Sequence, residues 1–200
     1  MDDGIRKAEY SDVEGLVRTY VRAYDDDPVV NWIVRQDERR AHAMSLFFRT
    51  CLLTFGLPHE EVYVTHDCTG GALWTPPGKS TISIIRQAPL LPRMIQVVRP
   101  WGIVRLLRTV DVFNRMHPEN EHFYLQFIGV DPCHQGKGIG GALLMPVMDY
   151  CDRHGYGMYL ENSKEANLPF YRRHGFEVMR IIGIGAGSPP VWLMWREGRL

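Results

Sequence analysis

The sequence predicts an α/β protein, a single mixed sheet with helices on both faces, and three observations carry that prediction. Runs of period two and period 3.6 follow one another in the order β-α-α-β-β, a helical insert, then β-α-β-α-β-β. Residues 123–141 weld an apolar strand to a glycine-rich turn that opens a helix. Finally, the chain of 200 residues shows no repeat or low-complexity segment. That length fits one domain, residues 1–200, able to bury about 70% of its unfolded surface without disulfide or metal.

Residues 5–10 read as a short strand. Ser11-Asp12-Val13-Glu14 has the form of a capping box, and Leu16, Val17, Tyr20, Val21 and Tyr24 recur on one helical face until Asp25-Asp26-Asp27-Pro28 stops the helix. A second helix is expected over about 38–55, burying Met44, Phe47, Phe48, Cys51, Leu52 and Phe55, with Gly56 closing it. Residues 61–65 and 71–75 form a hairpin around Asp67-Cys68-Thr69-Gly70, ended by Pro76-Pro77-Gly78. The insert, 79–117, is helical in pattern, and Pro89, Pro92 and Pro100 divide it into short pieces, either a lid or packing helices. A strand at 122–130 leads to a helix from 138 to about 154, with Ile139, Leu143, Val147 and Cys151 on one stripe and a kink expected at Pro146. A strand at 157–161, a helix at 164–173, and an antiparallel pair at 176–184 and 191–196 complete the chain.

Composition narrows the function classes. Lys plus Arg and Asp plus Glu both number 23, so net charge is zero, which argues against nucleic acid as a main partner. Met1-Asp2-Asp3-Gly4 has no basic or apolar leader pattern, and no apolar run approaches the ~18 residues of a membrane span, so a soluble cytoplasmic protein with no membrane partner is expected. Cys51, Cys68, Cys133 and Cys151 lack metal-ligand spacing and read as free thiols in a reducing compartment, with no metal; Cys133, inside the glycine-rich turn, is the one placed to react. Lys79, Arg86, Arg93, Arg99, Arg105, Arg108 and Arg115 face a single acid, Asp111, within the insert. They form either a solvated face or a surface that gathers an anionic ligand or acidic partner.

The glycine-rich turn is an anion cradle. Gly136, Gly138, Gly140 and Gly141 remove side chains where backbone must approach a ligand, and free N–H groups at the helix start attract phosphate. Three spellings compete for it. A Walker A loop fails, because Asp131 stands where its first glycine belongs and Gly138, not a hydroxyl, follows Lys137. The dinucleotide fingerprint is formally met by Gly136, Gly138 and Gly141, with Glu161 downstream. However, Asp131 to Gln135 separate strand from glycine, and too few strand-helix passages follow for a nicotinamide-cofactor oxidoreductase. The third spelling, Gln-x-x-Gly-x-Gly, uses Gln135, Gly138 and Gly140 just after a strand ending in Gly-Val-Asp-Pro.

That spelling resembles the coenzyme A pyrophosphate loop of the GNAT superfamily of acyl-CoA-dependent N-acyltransferases. Tyr159-Leu160-Glu161-Asn162 and the run from Asn167 to Val178 follow in the family's order and spacing. His117-Pro118, Pro146, Asn167-Leu168-Pro169-Phe170-Tyr171, Trp192 and Met194 are similar to puromycin N-acetyltransferase and its relatives. The resemblance is dense over about 117–196 and thin before, apart from Leu73-Trp74-Thr75-Pro76-Pro77. It implies the GNAT fold, a mixed and mostly antiparallel sheet, and acetyl-CoA as co-substrate. It further implies coenzyme contacts from Ile128, Gly129, Val130, Gln135, Gly136, Lys137, Gly138, Ile139, Gly140, Asn167 and Tyr171. In the family the strand at 122–130 parts from its neighbour, so that the pantetheine arm pairs with the open edge. Tyr171 falls at the tyrosine that protonates the leaving sulfur, and Asn167 at the residue that bonds the pantetheine amide or its water.

Acyl transfer also needs a neutral amine, and Glu161, at a strand end, is the candidate base; the competing reading is a surface charge. Glu121 and His122, with Tyr124 on the same side as His122, are second choices, and His134 reads as solvated or phosphate-adjacent. No Ser/His/Asp triad can be assembled. Acceptor contacts are expected from residues 24–32 and the insert, where Asp25, Asp26 and Asp27 either favour a cationic amine or merely cap a helix. The expectation is thus an acetyl-CoA-dependent N-acetyltransferase acting on a primary amine of a small molecule, as monomer or homodimer. The alternative is a non-catalytic acyl-CoA-binding sensor or interaction module.

Overall fold

One seven-stranded sheet organises the residues that the computed structural model describes, 4–79 and 90–199. Its strands in chain order are β1 (Ile5–Lys7), β2 (Val62–Thr65), β3 (Gly70–Thr75), β4 (His122–Val130), β5 (Gly157–Asn162), β6 (Glu177–Gly183) and β7 (Pro190–Arg196). Across the sheet they run β1-β2-β3-β4-β5-β7-β6, and every neighbouring pair is antiparallel except β4 and β5. The parallel step is made through the helix α5 (Ile139–His154). Helices cover both faces, so β3 is buried at every position. Leu73 packs with residues of α1 (Val13–Ala23) and α3 (Arg40–Cys51), whereas Ala72 and Trp74 pack with Leu143, Leu144 and Val147 of α5.

Three elements depart from expectation, each for a local reason. The box expected from Ser11 and Glu14 does not form. β1 ends at Lys7, a 3-10 turn spans Tyr10–Asp12, the Asp12 carboxylate accepts the Glu9 N–H at 2.8 Å, and Glu14 instead pairs with Arg49 of α3. Pro28 does more than stop α1. It opens α2 (Pro28–Ile33), where its missing N–H costs nothing, and the Asp27 carboxylate accepts the Val30 N–H at 2.9 Å as an N-cap. The expected second helix keeps nearly its full span, as α3 and then a π-helical continuation at Leu52–Gly56, so what departs is the widening of its last turns.

The insert is the largest correction. Instead of short pieces, Leu91–Met116 form one continuous helix, α4. Pro92 sits in its first turn, and Pro100 removes one backbone donor while buried Val97, Val98 and Thr109 anchor the turns around it. α4 packs on α2 and α3 and so behaves as a packing helix. Pro89 and Arg86 lie outside the described residues. α5 runs unbroken through Pro146, and a short turn at Glu165–Asn167 precedes α6 (Leu168–Arg173). Among the described residues no helix is long and apolar enough to cross a membrane.

Candidate active site

The site begins where the sheet splits. β4 pairs with β5 only over His122–Leu125, and from Gln126 onward the edge that faced β5 is open, because β5 continues against β7 alone. A bulge marks the split, for Leu73 pairs with Phe127 but Trp74 with Leu125, leaving Gln126 out of register and its amide bonded to Thr75 Oγ1 at 2.7 Å. The open edge is capped by a side chain from α1's C-terminus. Tyr24 Oη donates to the Ile128 carbonyl at 3.0 Å and accepts the Ile128 N–H at 3.1 Å. By strand alternation Ile128 and Val130 own this edge, while the main chain of Gly129 faces β3. Gly129 is needed for a different close approach, since a Cβ there would lie 2.9 Å from the Tyr20 ring of α1.

β4 runs into the glycine-rich loop. Asp131 pins the turn, accepting the Cys133 N–H at 3.0 Å and pairing with Arg22 at 2.8 Å, and the Gln135 amide returns to the Val130 carbonyl at 3.0 Å. Gly136 and Gly138 have φ of +76° and +84°, with open space where a side chain would project, so the backbone conformation rather than crowding demands glycine. Ala142 N–H is the first to bond within α5, to the Gly138 carbonyl, which leaves the N–H groups of Ile139, Gly140 and Gly141 without intrahelical partners at the positive end of the helix. At Gly140 and Gly141 the freed space belongs to α6, not to a ligand: a Cβ would meet Phe170 at 3.2 Å or His174 Nε2 at 3.0 Å.

The opposite wall carries the titratable groups. Glu161, near the end of β5, has one carboxylate oxygen bonded by the Tyr124 hydroxyl, whereas Oε1 is buried and has no hydrogen-bond partner among the described residues. Burial raises its pKa to about 7, against the opposing pull of the Tyr124 and Tyr159 phenols. Tyr171, on α6, is buried beside Phe170 and Phe176, and burial together with nearby Asp27 pushes its phenol above the usual range. Of the three aspartates, Asp25 pairs with Arg40 and Asp26 with Lys164; Asp27 is buried, caps α2 and accepts the Ser163 hydroxyl.

These walls enclose one cavity of about 890 Å³. It brings together Ile128, Gly129, Val130, Gln135, Gly136, Gly138, Ile139, Gly140, Glu161, Asn167 and Tyr171, along with Asp27, Tyr124 and His134. Lys137 is exposed and does not line it. The second-choice residues before Tyr124 are elsewhere. Glu121 is exposed, and His122 is buried with its Nε2 at 3.0 Å from that of His117. Burial lowers the pKa of both imidazoles, that of His117 to about 4. Sequence reasoning missed Tyr24 as the edge cap, and Phe170 and His174 as partners of the loop. The latter two carry a readable signal, because Asn167, Phe170, Tyr171 and His174 recur at i, i+3, i+4 and i+7 on one helical face.

The fold is the GNAT fold. A family model for the acetyltransferase (GNAT) domain matches residues 96–178, from α4 to the start of β6, and with the curated relatives it supports an acetyltransferase enzyme. An uncharacterized N-acetyltransferase of Schizosaccharomyces pombe is 25% identical over 218 aligned residues, covering 96% of this chain and 82% of the relative. N-alpha-acetyltransferase RimI of Mycobacterium tuberculosis is 38% identical over 78 residues, 38% of this chain and 42% of that one. Among solved structures, a histone acetyltransferase HPA2 and related acetyltransferase from Corynebacterium glutamicum superposes with a TM-score of 0.76 at 20% identity, covering 98% of this chain and 96% of that one. Drosophila melanogaster polyamine N-acetyltransferase does so with a TM-score of 0.63 at 15% identity, covering 96% and 98%.

Proposed function

We propose that this chain transfers the acetyl group of acetyl-CoA to the primary amine of a small molecule, in the cytoplasm. The observation that carries the reading is the continuity of an open β4 edge, a run of unpartnered main-chain N–H groups and a buried carboxylate around one cavity. The residues fit the co-substrate. The loop offers positive-φ glycines with open space, and Ile139, Gly140 and Gly141 offer N–H groups to a pyrophosphate. Ile128 and Val130 offer an extended edge to an amide-bearing arm, with Asn167 and Gln135 alongside. Four free cysteines accord with a reducing compartment. Kinship with the puromycin branch belongs to this proposal and rests on residues such as Pro146, Asn167 and Trp192; puromycin is not the proposed acceptor.

A thioester supplies an activated acyl carbon whose leaving group is a thiolate. Glu161 Oε1 takes the proton of the acceptor ammonium, and a pKa near 7 places its base form at working pH. The Ile128 N–H, once released by Tyr24, polarises the acyl oxygen. Tyr171 stays protonated because its environment disfavours the phenolate, and it holds its O–H toward the departing sulfur. The test is thiol release from acetyl-CoA in the presence of an amine panel. Tyr171→Phe is expected to lower kcat by about 10²-fold while the Kd for coenzyme A stays the same. A variant with full rate removes the phenol from the mechanism, and a protein that binds coenzyme A yet releases no thiol with any amine returns the non-catalytic reading.

A further inference from the structure

We infer that the acceptor subsite takes a primary amine bearing a single positive charge on an apolar alkyl or aryl body, and discriminates against diamines and other polycations. The inference rests on the acetyl-transfer reading and deepens it. Among the described residues only two carboxylates line the cavity, Glu161 and Asp27. Asp27 is already engaged on both oxygens, by the Val30 N–H and by the Ser163 hydroxyl, and so is held as a cap of α2. Glu161 keeps one buried oxygen with no hydrogen bond of good geometry, the Tyr159 phenol standing nearby, which matches one ammonium.

Beyond the Tyr124 and Tyr159 phenols beside that carboxylate, this part of the cavity wall is apolar. Val29 and Phe113 pack on the cluster formed by Tyr124, Val191 and Leu193, and Val29, Val110, Phe113 and Val191 also line the cavity. None of these side chains can pair with a second cation. The cationic groups on the cavity wall, Lys164 and Arg173, lie on or just before α6, and Lys164 is paired with Asp26. A second ammonium buried among valines and a phenylalanine would lose its hydration without compensation, whereas a methylene chain in the same place gains from leaving water.

Hexylamine and 1,6-diaminohexane share chain length and nucleophile and differ by the distal ammonium. With the 200-residue chain and acetyl-CoA, kcat/KM is expected to favour hexylamine by at least about tenfold. Equal or faster turnover of the diamine overturns the inference. Val110→Glu, which adds a carboxylate to the apolar wall, is expected to raise the diamine-to-monoamine ratio by about tenfold, and an unchanged ratio counts against it. Acetylation confined to amines of another class, such as peptide N-termini, overturns the acceptor assignment alone. Failure to acetylate any amine while coenzyme A binds overturns both it and the reading beneath it.

Discussion

The two ends of the cavity are built from different parts of the polypeptide. At one end the open edge of β4 and the loop before α5 present main-chain groups; at the other, α2, α4, β5 and β7 present side chains around Glu161. Main-chain recognition depends on backbone angles and on where two strands part, so most side-chain substitutions leave it intact. Side-chain recognition depends on desolvation, so one substitution retunes it. The contrast teaches that affinity for a shared co-substrate and choice of acceptor are separable in this molecule.

Substitutions at each end break or sharpen that contrast. The largest effect is expected at the side-chain end, where Glu161→Gln should lower turnover by about 10²-fold or more with coenzyme A affinity unaltered. The sign of its pH dependence follows from a folded pKa near 7 against an ordinary value of 4.5. The base form appears as pH rises through 7, so activity rises there, and the variant should lose this limb. Stability runs the other way. Between those two pKa values the folded state binds the extra proton, so the wild type loses stability as pH rises from about 4.5 to 7. The melting temperature of Glu161→Gln minus that of wild type should therefore widen between pH 5 and pH 8, and a constant difference would place Glu161 in water.

At the main-chain end, Gly138→Ala forces a side chain onto φ of +84° and should cost about 1–2 kcal/mol. Calorimetry is expected to show coenzyme A bound about tenfold more weakly, with the KM for the amine unchanged; equal losses in both would mean that the ends are not separable. The smallest effect is expected from Tyr24→Phe, which removes both bonds to Ile128. The variant should be less stable by about 1–2 kcal/mol, yet bind coenzyme A about fivefold more tightly, because no phenol has to be displaced from the edge. Weaker binding would show instead that the phenol helps to hold the ligand.

The main-chain end was largely legible from the residues, since positive-φ glycines and a strand-loop-helix junction leave marks at short range. The rest depended on contacts far apart in the chain. Tyr24 reads as one more core position on a helical face, because its partner Ile128 lies 104 residues away. Whether Glu161 is a surface charge or a buried base turns on Tyr124 and on neighbours from α2, α4 and β7, none of which period or spacing reveals. Asp27-Pro28 carries a stop and a start signal at once, and a six-residue helix is too short for periodicity to decide between them. In α4 the prolines look like breaks, whereas in the fold Pro92 falls in the first turn and the helix is held by long-range packing that includes buried Val97 and Val98.

Where α5 begins, only hydrogen atoms separate its backbone from α6, because Gly140 and Gly141 leave room for Phe170 and His174. Phe170 in turn lies against Tyr171, their ring centroids 5.1 Å apart. A methyl group at Gly140 would therefore press on the tip of the Phe170 ring, 3.2 Å away, on the side of α5 that faces the phenol's neighbour. Refitting this stretch of the loop with larger residues thus requires Phe170 to give way, which couples the carrier's seat to the helix that bears the phenol.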